Sequence, residues 1–382
     1  VSTQSTGMGS TPACKQELPG KQFHITEWDY AEKQFADFSK SYTLYSAMDN
    51  FNLLTEHKIP TLEVFLRTLA AASEVLKAED NLVRLELHDH DRLIVVGDLH
   101  GSFETLTRLF QGELGFPGEH KQSMRNVYLF NGDFTDRGGS GFQTLFALSF
   151  FKAAAPDCVC LNRGNHESEE ISLMNEPCMF YRFIEEMFDK FQDLTSQTKD
   201  AILDFYSALP IAHLYQKNLI SHAGVPARFL LSDFNRLSPK RFQIKKMTHD
   251  CGNFAVWRDF MWSYERDPVA ADFLRQNGLK TLVCSHSAAK FHNISVFDSE
   301  CALLHRIQSQ EAFEFFREGD SKDVEQKKGE YFIVEIFSSP TNMGDTYCLI
   351  VGGEDPVQWE YIRLAKEGEF RFVNPQELNS QK

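Results

Sequence analysis

Three short segments carry the residue types of metal and phosphate chemistry: GDLHGS at 97–102, GDFTDRGGSG at 132–141 and NRGNHES at 162–168. Asp98, His100, Asp133 and Asn165 form a mixed carboxylate, imidazole and amide set, which suits hard or borderline divalent metals and not thiolate-seeking ones. His222 in LISHAG and His286 in LVCSHS follow apolar runs and extend the candidate ligands to six. Asp133 is the member able to bridge two ions. A metal pair about 3.5–4 Å apart can clamp both oxygens of a phosphate-ester displacement and bring a bound water to a pKa of about 7, giving a hydroxide nucleophile. The leaving alkoxide also needs a proton, and His166 beside Asn165 is the natural general acid, with Asp136 to orient it. Arg137 offers a planar fork to phosphate oxygens, and Arg163 is a second candidate.

Each piece alone has an ordinary reading. Gly-Asp after a strand is commonly a turn, and Asp or Asn commonly caps a helix. A histidine on an apolar run is commonly a satisfied core residue. The combination reverses that balance, and rival features fit less well. His88, Asp89 and His90 precede a strand instead of following one and read as a solvated turn. His213 stands at a strand start after Pro210 and reads as structural. The stripe Phe180, Phe183, Ile184, Met187, Phe188 and Phe191 has helical spacing and reads as core. The sequon at Asn293 has no secretory feature beside it.

These residues need elements that bring them together. The β-rich runs Leu93 to Val96, Val127 to Phe130 and Cys158 to Leu161 alternate with helical stretches starting near Ser102, Phe142 and Glu167, the grammar of βαβ units. Each chemical segment follows one of those strands, and ligands of open βα sheets bind beyond the carboxyl ends. Asp98, Asp133 and Asn165 recur at intervals of 35 and 32 residues, close to one βα repeat. Earlier, Leu62, Phe65, Leu66, Leu69 and Leu76 after Pro60 predict an amphipathic helix. Later, His213 to Tyr215 with Asn218 to Ser221, and Tyr331 to Phe337 with Tyr347 to Val351, read as two antiparallel hairpins of a second sheet. The expected organisation is a disordered lead (1–20), an N-terminal extension (21–59), a catalytic domain (60–353) with a surface insertion (302–330), and a tail (354–382).

A chain of 382 residues, 42% hydrophobic with 34 phenylalanines, can bury a sizeable core. Its net charge of −15 repels polyanions, so neither nucleic acid nor an anionic membrane surface is an expected partner. Eight cysteines without a CxxC pair read as reduced thiols, and Cys158 and Cys160 as core. With no apolar run of 18 residues and no secretory leader, the expected compartment is the cytoplasm or the nucleus.

GDLHG, GDFTDRG and RGNHE are similar to the three signature motifs of the phosphoprotein phosphatases, the metal-dependent Ser/Thr phosphatases that include calcineurin. SHAGV, DFMWS and CSHS resemble the segments that follow, and the resemblance runs from about Pro60 to Gly353. It implies an α+β, four-layer α/β/β/α metallophosphoesterase fold, two mixed β-sheets forming a sandwich flanked by helices. It also implies two divalent metal ions (Mn, or Fe and Zn), a phosphoprotein substrate and a regulatory protein subunit. The same roles fall on the residues above.

Departures lie at the rim. SSPTN stands where the family has SAPNY, with Asn342 in place of its tyrosine, and Cys284 and Ser285 replace the usual residues before the last histidine. A glycine-rich stretch carrying a phosphate-binding arginine is shortened to ERDPVAADFL, leaving Arg258 or Arg266 as substitutes. This rim leaves phosphotyrosine or a small phosphomonoester open as alternative substrates. Diadenosine tetraphosphatases share the metal core, but Asp136 and Glu167 favour a protein phosphatase. The presence of all six ligands with His166 and Arg137 weighs against a catalytically silent binding module. The acidic balance weighs against a DNA-directed phosphodiesterase.

Overall fold

The computed structural model describes residues 29–30, 35, 43–112, 114–121, 123–174, 181–192, 195–234, 254–263, 268–287, 293–308, 330–339, 346–351, 359–364 and 370–372. The lead, Arg266, Asn342, residues 309–329 of the expected insertion, and most of the tail lie outside them.

The strands are β1 (Asp29–Tyr30), β2 (Lys58–Ile59), β3 (Leu82–Leu85), β4 (Asp91–Val96), β5 (His120–Lys121), β6 (Met124–Phe130), β7 (Val159–Leu161) and β8 (Ala212–Tyr215), followed by β9 (Asn218–Ser221), β10 (Thr281–Cys284), β11 (Asn293–Phe297), β12 (Leu303–Gln308), β13 (Tyr331–Glu335), β14 (Thr346–Val351), β15 (Glu360–Leu364) and β16 (Phe370–Phe372). The helices are α1 (Leu44–Thr55), α2 (Leu62–Lys77), α3 (Phe103–Gln111), α4 (Gly141–Ala154), α5 (Phe183–Phe191), α6 (Ser196–Ala208), α7 (Phe254–Trp262) and α8 (Val269–Gln276).

Two seven-stranded sheets form the centre. The first runs β16-β15-β14-β4-β6-β5, with β7 also on β6, and the second runs β12-β11-β13-β10-β9-β8-β3. Alternation along the strands sorts side chains between layers. Leu93, Val95, Val127 and Leu129 face Ile220, Val283, Ile294 and Val334 across the sandwich. Ile94, Val96, Tyr128 and Phe130 point the other way, onto helices through Phe51, Phe65, Phe110 and Phe142. On the far side, Leu219, Leu282 and Ile333 meet Trp257, Phe260 and Phe273 of α7 and α8. The result is the expected α/β/β/α order.

The predicted helix after Pro60 is α2, capped by Thr61 and burying Phe65, Leu69, Ala72 and Leu76 on one face. α4 is apolar on all sides, and residues from Gly141 to Lys152 are buried. Two expectations need correction, one hairpin and one helix. Tyr331–Glu335 and Thr346–Val351 form no hairpin, because β13 lies in the second sheet and β14 pairs antiparallel with β4 in the first. Their apolar alternation is that of strands in a two-sheet core, which does not specify the partner. The expected surface insertion (302–330) begins with a strand, Leu303–Gln308, paired with β11, and its Leu303 and Leu304 are exposed. The helix expected near Glu167 is a short π-helical turn, Glu169–Leu173. Within α5, Phe183, Ile184 and Met187 are buried as expected, whereas Phe188 is exposed.

Candidate metal centre

β4, β6 and β7 run parallel with Val96 opposite Phe130 and Phe130 opposite Leu161, so their carboxyl ends align. In the second sheet β9, β10 and β13 also run parallel, with Val283 beside both Ile220 and Val334. The two sets of ends meet. Asp98 makes a parallel bridge to Phe337 beyond β13, and Gly97 N donates to Ser338 Oγ at 2.9 Å. Asn131 donates through Nδ2 to Ser221 O and to Ser285 Oγ, both at 2.8 Å. Gly132 and Gly164 let the second and third segments touch: a Cβ on Gly132 would lie 2.6 Å from Gly164 Cα, and one on Gly164 would lie 2.3 Å from Asp133 Oδ1.

This junction brings together all six candidate ligands and His166, each between 0 and 9% exposed. His100 Nε2 lies 3.7 Å from Asp98 Oδ2 and 3.6 Å from Asp133 Oδ2. His222 Nε2 lies 3.3 Å from Asp133 Oδ1, and its Nδ1 lies 3.8 Å from Asp98 Oδ1. The geometry divides into two groups able to hold an ion, His100 with Asp133 and His166, and Asp133 with His222 and His286, and Asp133 belongs to both.

The hydrogen bonds aim the ring nitrogens. His222 Nδ1 donates to Asn131 O at 2.7 Å and His100 Nδ1 to Thr135 O at 3.3 Å, which turns both Nε2 lone pairs toward Asp133. The Asn165 amide has one terminal atom 2.9 Å from His286 Nδ1, 3.0 Å from His222 Nε2 and 3.2–3.3 Å from both Asp133 oxygens. An amide NH2 turned to that place donates to all of them, and an amide oxygen turned there fits beside a cation. Asp98 Oδ2 is also buried and accepts no hydrogen bond among the described residues. Burial pushes Asp98 up to about 7, and the nearby Asp133 charge adds to this against the pull of His222. Burial acts on Asp133 in the same direction, but His222, His166 and His100 hold it well below the usual carboxylate range. His222 is lifted to about 9 because Asp133 outweighs the cost of burying its charge. Carboxylate charge crowded into a dry, oxygen-and-nitrogen pocket fits divalent cations.

Beside this cluster, His166 Nδ1 donates to Asp136 Oδ2 at 2.7 Å, which leaves Nε2 facing Asp133 Oδ2 at 3.9 Å. Burial works against the imidazolium, yet Asp133 and Asp136 together raise its pKa. Arg137 is half-buried on the same turn, its backbone N bonded to Tyr181 O at 2.7 Å, and its charge is felt at Asp98, His100 and His166. Arg163 sits differently from its expectation as a phosphate contact. It is 1% exposed, with Nε donating to Glu167 O at 3.0 Å, and burial lowers its pKa to about 10. Arg258 is exposed and lies 3.7 Å from Asp259. His88, Asp89 and His90 form the expected exposed turn, and His213 is buried against Asn162 Oδ1 at 2.7 Å.

Strain concentrates here. His100, Asp133, Asp136, Arg137 and His286 all have φ between +45° and +68°, a region costing a non-glycine residue of order 1 kcal/mol. Part of the compensation comes from Glu167, whose structural role has no sequence signal. The Glu167 carboxylate accepts from Asp133 N at 2.8 Å, Phe134 N at 2.9 Å and Gly164 N at 2.8 Å. Asn131, Ser172 and Ser338 were equally unassigned. Asn131 directly precedes the second segment and Ser338 opens SSPTN, while Ser172 has no sequence signal. Aromatic edges flank the histidines, Trp262 at 6.0 Å from His286 and Phe337 at 6.0 Å from His100 between ring centroids.

Comparison with known proteins places the chain in a family. Serine/threonine-protein phosphatase 7 of Arabidopsis thaliana is 26% identical over 349 residues, covering 75% of this chain and 81% of that protein. Serine/threonine-protein phosphatase 5 of the same plant is 32% identical over 180 residues, 47% of this chain. That match spans only 30% of the relative's own length. A solved protein serine/threonine phosphatase of Saccharomyces cerevisiae superposes with a TM-score of 0.62 at 22% identity, over 85% of this chain and 96% of that one, a likeness of fold. The pattern of calcineurin-like phosphoesterases matches residues 91–290, more than half of the chain. It starts at the first residue of β4 and ends just beyond His286, enclosing the six candidate ligands, His166, Asp136 and Arg137, and the chain belongs to the calcineurin-like phosphoesterase family.

Proposed function

We propose that this protein is a metal-dependent phosphoprotein phosphatase that hydrolyses phosphomonoesters, phosphoserine and phosphothreonine foremost, by direct attack of water. The observation that carries the reading is Asp133, shared by two groups of possible metal ligands, one of which also contains His166 with its Nδ1 held by Asp136. Asp98, His100 and Asp133 would hold one divalent ion, and Asp133, Asn165, His222 and His286 the other. Mn, or Fe with Zn, suits this donor set. Bound ions supply Lewis acidity, polarising the phosphoryl group and acidifying a water. Arg137, half-buried on the same turn as Asp136, would fork the phosphoryl oxygens. Asp136 fixes the tautomer of His166, whose Nε2 gives its proton to the leaving oxygen. Arg163 braces the third segment from within. The serine/threonine phosphatases among the relatives support this substrate class over the alternatives.

The test is a panel of matched phosphoserine, phosphothreonine and phosphotyrosine peptides with a dinucleotide polyphosphate, assayed with added Mn. Preferential turnover of the first two is expected. Turnover confined to phosphotyrosine or to the dinucleotide would replace this reading with the corresponding alternative.

A further inference from the structure

Ser172 plays no part in the chemistry above, yet its hydroxyl donates to Asp136 Oδ2 at 2.6 Å, the same oxygen that accepts from His166 Nδ1 at 2.7 Å. The other carboxylate oxygen, Oδ1, accepts from Phe183 N at 2.6 Å. Behind Ser172 stands a relay of hydroxyls: Thr135 Oγ1 lies 3.4 Å from Ser172 Oγ and 3.3 Å from Tyr206 OH. Ser172, Thr135 and Tyr206 are fully buried. Ser172 is delivered by the π-helical turn Glu169–Leu173, a local form that is rare and concentrates at functional sites.

We propose that Ser172 is a positioning residue for proton donation, fixing the rotation of the Asp136 carboxylate and through it the aim of His166 Nε2. The inference rests on the reading of His166 as general acid. A carboxylate with two donors on Oδ2 and one on Oδ1 cannot turn about its Cβ–Cγ bond without breaking hydrogen bonds. Without the serine hydroxyl, Asp136 still accepts from His166, so the tautomer survives while the angular spread of the ring grows. In the step concerned, the P–O bond breaks with its electron pair moving to the leaving oxygen, which takes the proton from Nε2. Leaving groups of high pKa depend on that transfer, and activated aryl leaving groups depend on it far less.

The experiment compares a phosphoserine peptide with p-nitrophenyl phosphate, using the full chain with added Mn. For Ser172→Ala, kcat on the peptide is expected to fall about tenfold and kcat on the aryl ester about twofold, with KM unchanged, the size of one lost hydrogen bond to a charged group. Ser172→Thr keeps the hydroxyl and is expected to recover most of the loss. In an Asp136→Asn background, removing the Ser172 hydroxyl is expected to change the rate ratio of the two esters by less than about twofold, because the group it orients is already disabled. Equal losses on both esters, or a full tenfold loss persisting in the Asp136→Asn background, would overturn the proposal. His166→Ala separates the two levels of failure. If it treats both esters alike, the acid assignment falls and this inference falls with it. If it discriminates between them and Ser172→Ala does not, only the role of Ser172 is lost.

Discussion

Asp133 belongs to both groups of side chains that could hold a metal ion, so it is where losing one charge is expected to cost most. Asp133→Asn is expected to reduce hydrolysis of p-nitrophenyl phosphate by at least about 10²-fold and to lower bound metal below two ions per chain. Two ions retained with near-normal turnover would remove Asp133 from the bridging position. His166→Ala should cut kcat by about 10²- to 10⁴-fold with metal content unchanged, the ordinary contribution of a general acid. Glu167→Ala is expected to weaken metal binding by about 10- to 100-fold although Glu167 is not among the proposed ligands, because it anchors the backbone of Asp133 and Gly164. Metal titration monitored by activity would show it, and unaltered affinity would demote Glu167 to a fold residue. The proposed ligands were legible in the sequence because carboxylate, imidazole and amide groups seldom follow buried strands without reason. Glu167 and Ser172 were not legible as supports, since a buried acceptor or hydroxyl looks like any other until its partners are folded against it. Arg163 misled for the converse reason: its residue type suits phosphate, but its position points inward.

At the scale of elements, the parallel strands β4 and β6 decide whether Asp98 and Asp133 meet, and their register is pinned at the end remote from the site. Asp91 lies opposite Arg125 and takes a two-pronged hydrogen bond from it, Nε to Oδ1 and Nη2 to Oδ2, each at 2.8 Å. That bond holds the pKa of Asp91 below its ordinary value of 3.8. A carboxylate depressed in the folded state stabilises the protein above its unfolded pKa, and the contribution is lost as pH falls through the folded one. Asp91→Asn is therefore expected to cost about 1.5 kcal/mol in urea unfolding at pH 7, a difference that shrinks below about pH 4. An equal difference at pH 7 and pH 3 would mean the ion pair is not its source. The βα alternation around these strands was readable because each strand is bounded by a polar, glycine-containing turn. The pairing of β13 and β14 was not, since two alternating apolar strands close in sequence look the same whether they share a sheet or face each other across a sandwich.

At the scale of the whole molecule, the centre lies on the seam between the two sheets. Asp98, His100, Asp133 and Asn165 follow strands of the first sheet, while His222 and His286 follow β9 and β10 of the second. Ions bound by both sets would tie the halves of the sandwich at one end, and their loss would leave Asp98 buried beside the Asp133 charge, which together with burial raises its pKa. Chelation is therefore expected to do more than abolish activity. Ligand that binds only the folded state stabilises it by about 2.7 kcal/mol at a hundredfold excess over Kd, which for a protein of this size corresponds to a rise in Tm of about 3–4 °C. Removing metal with a chelator should lower Tm by that amount, and adding Mn back should restore it. In Asp98→Ala with His286→Ala, where one proposed ligand from each sheet is gone, the response to chelator and Mn should shrink to a small fraction. A Tm indifferent to chelation in the parent protein, with metal loss verified by elemental analysis, would mean that the two sheets hold their positions without the ions and that the seam is only where the site happens to lie.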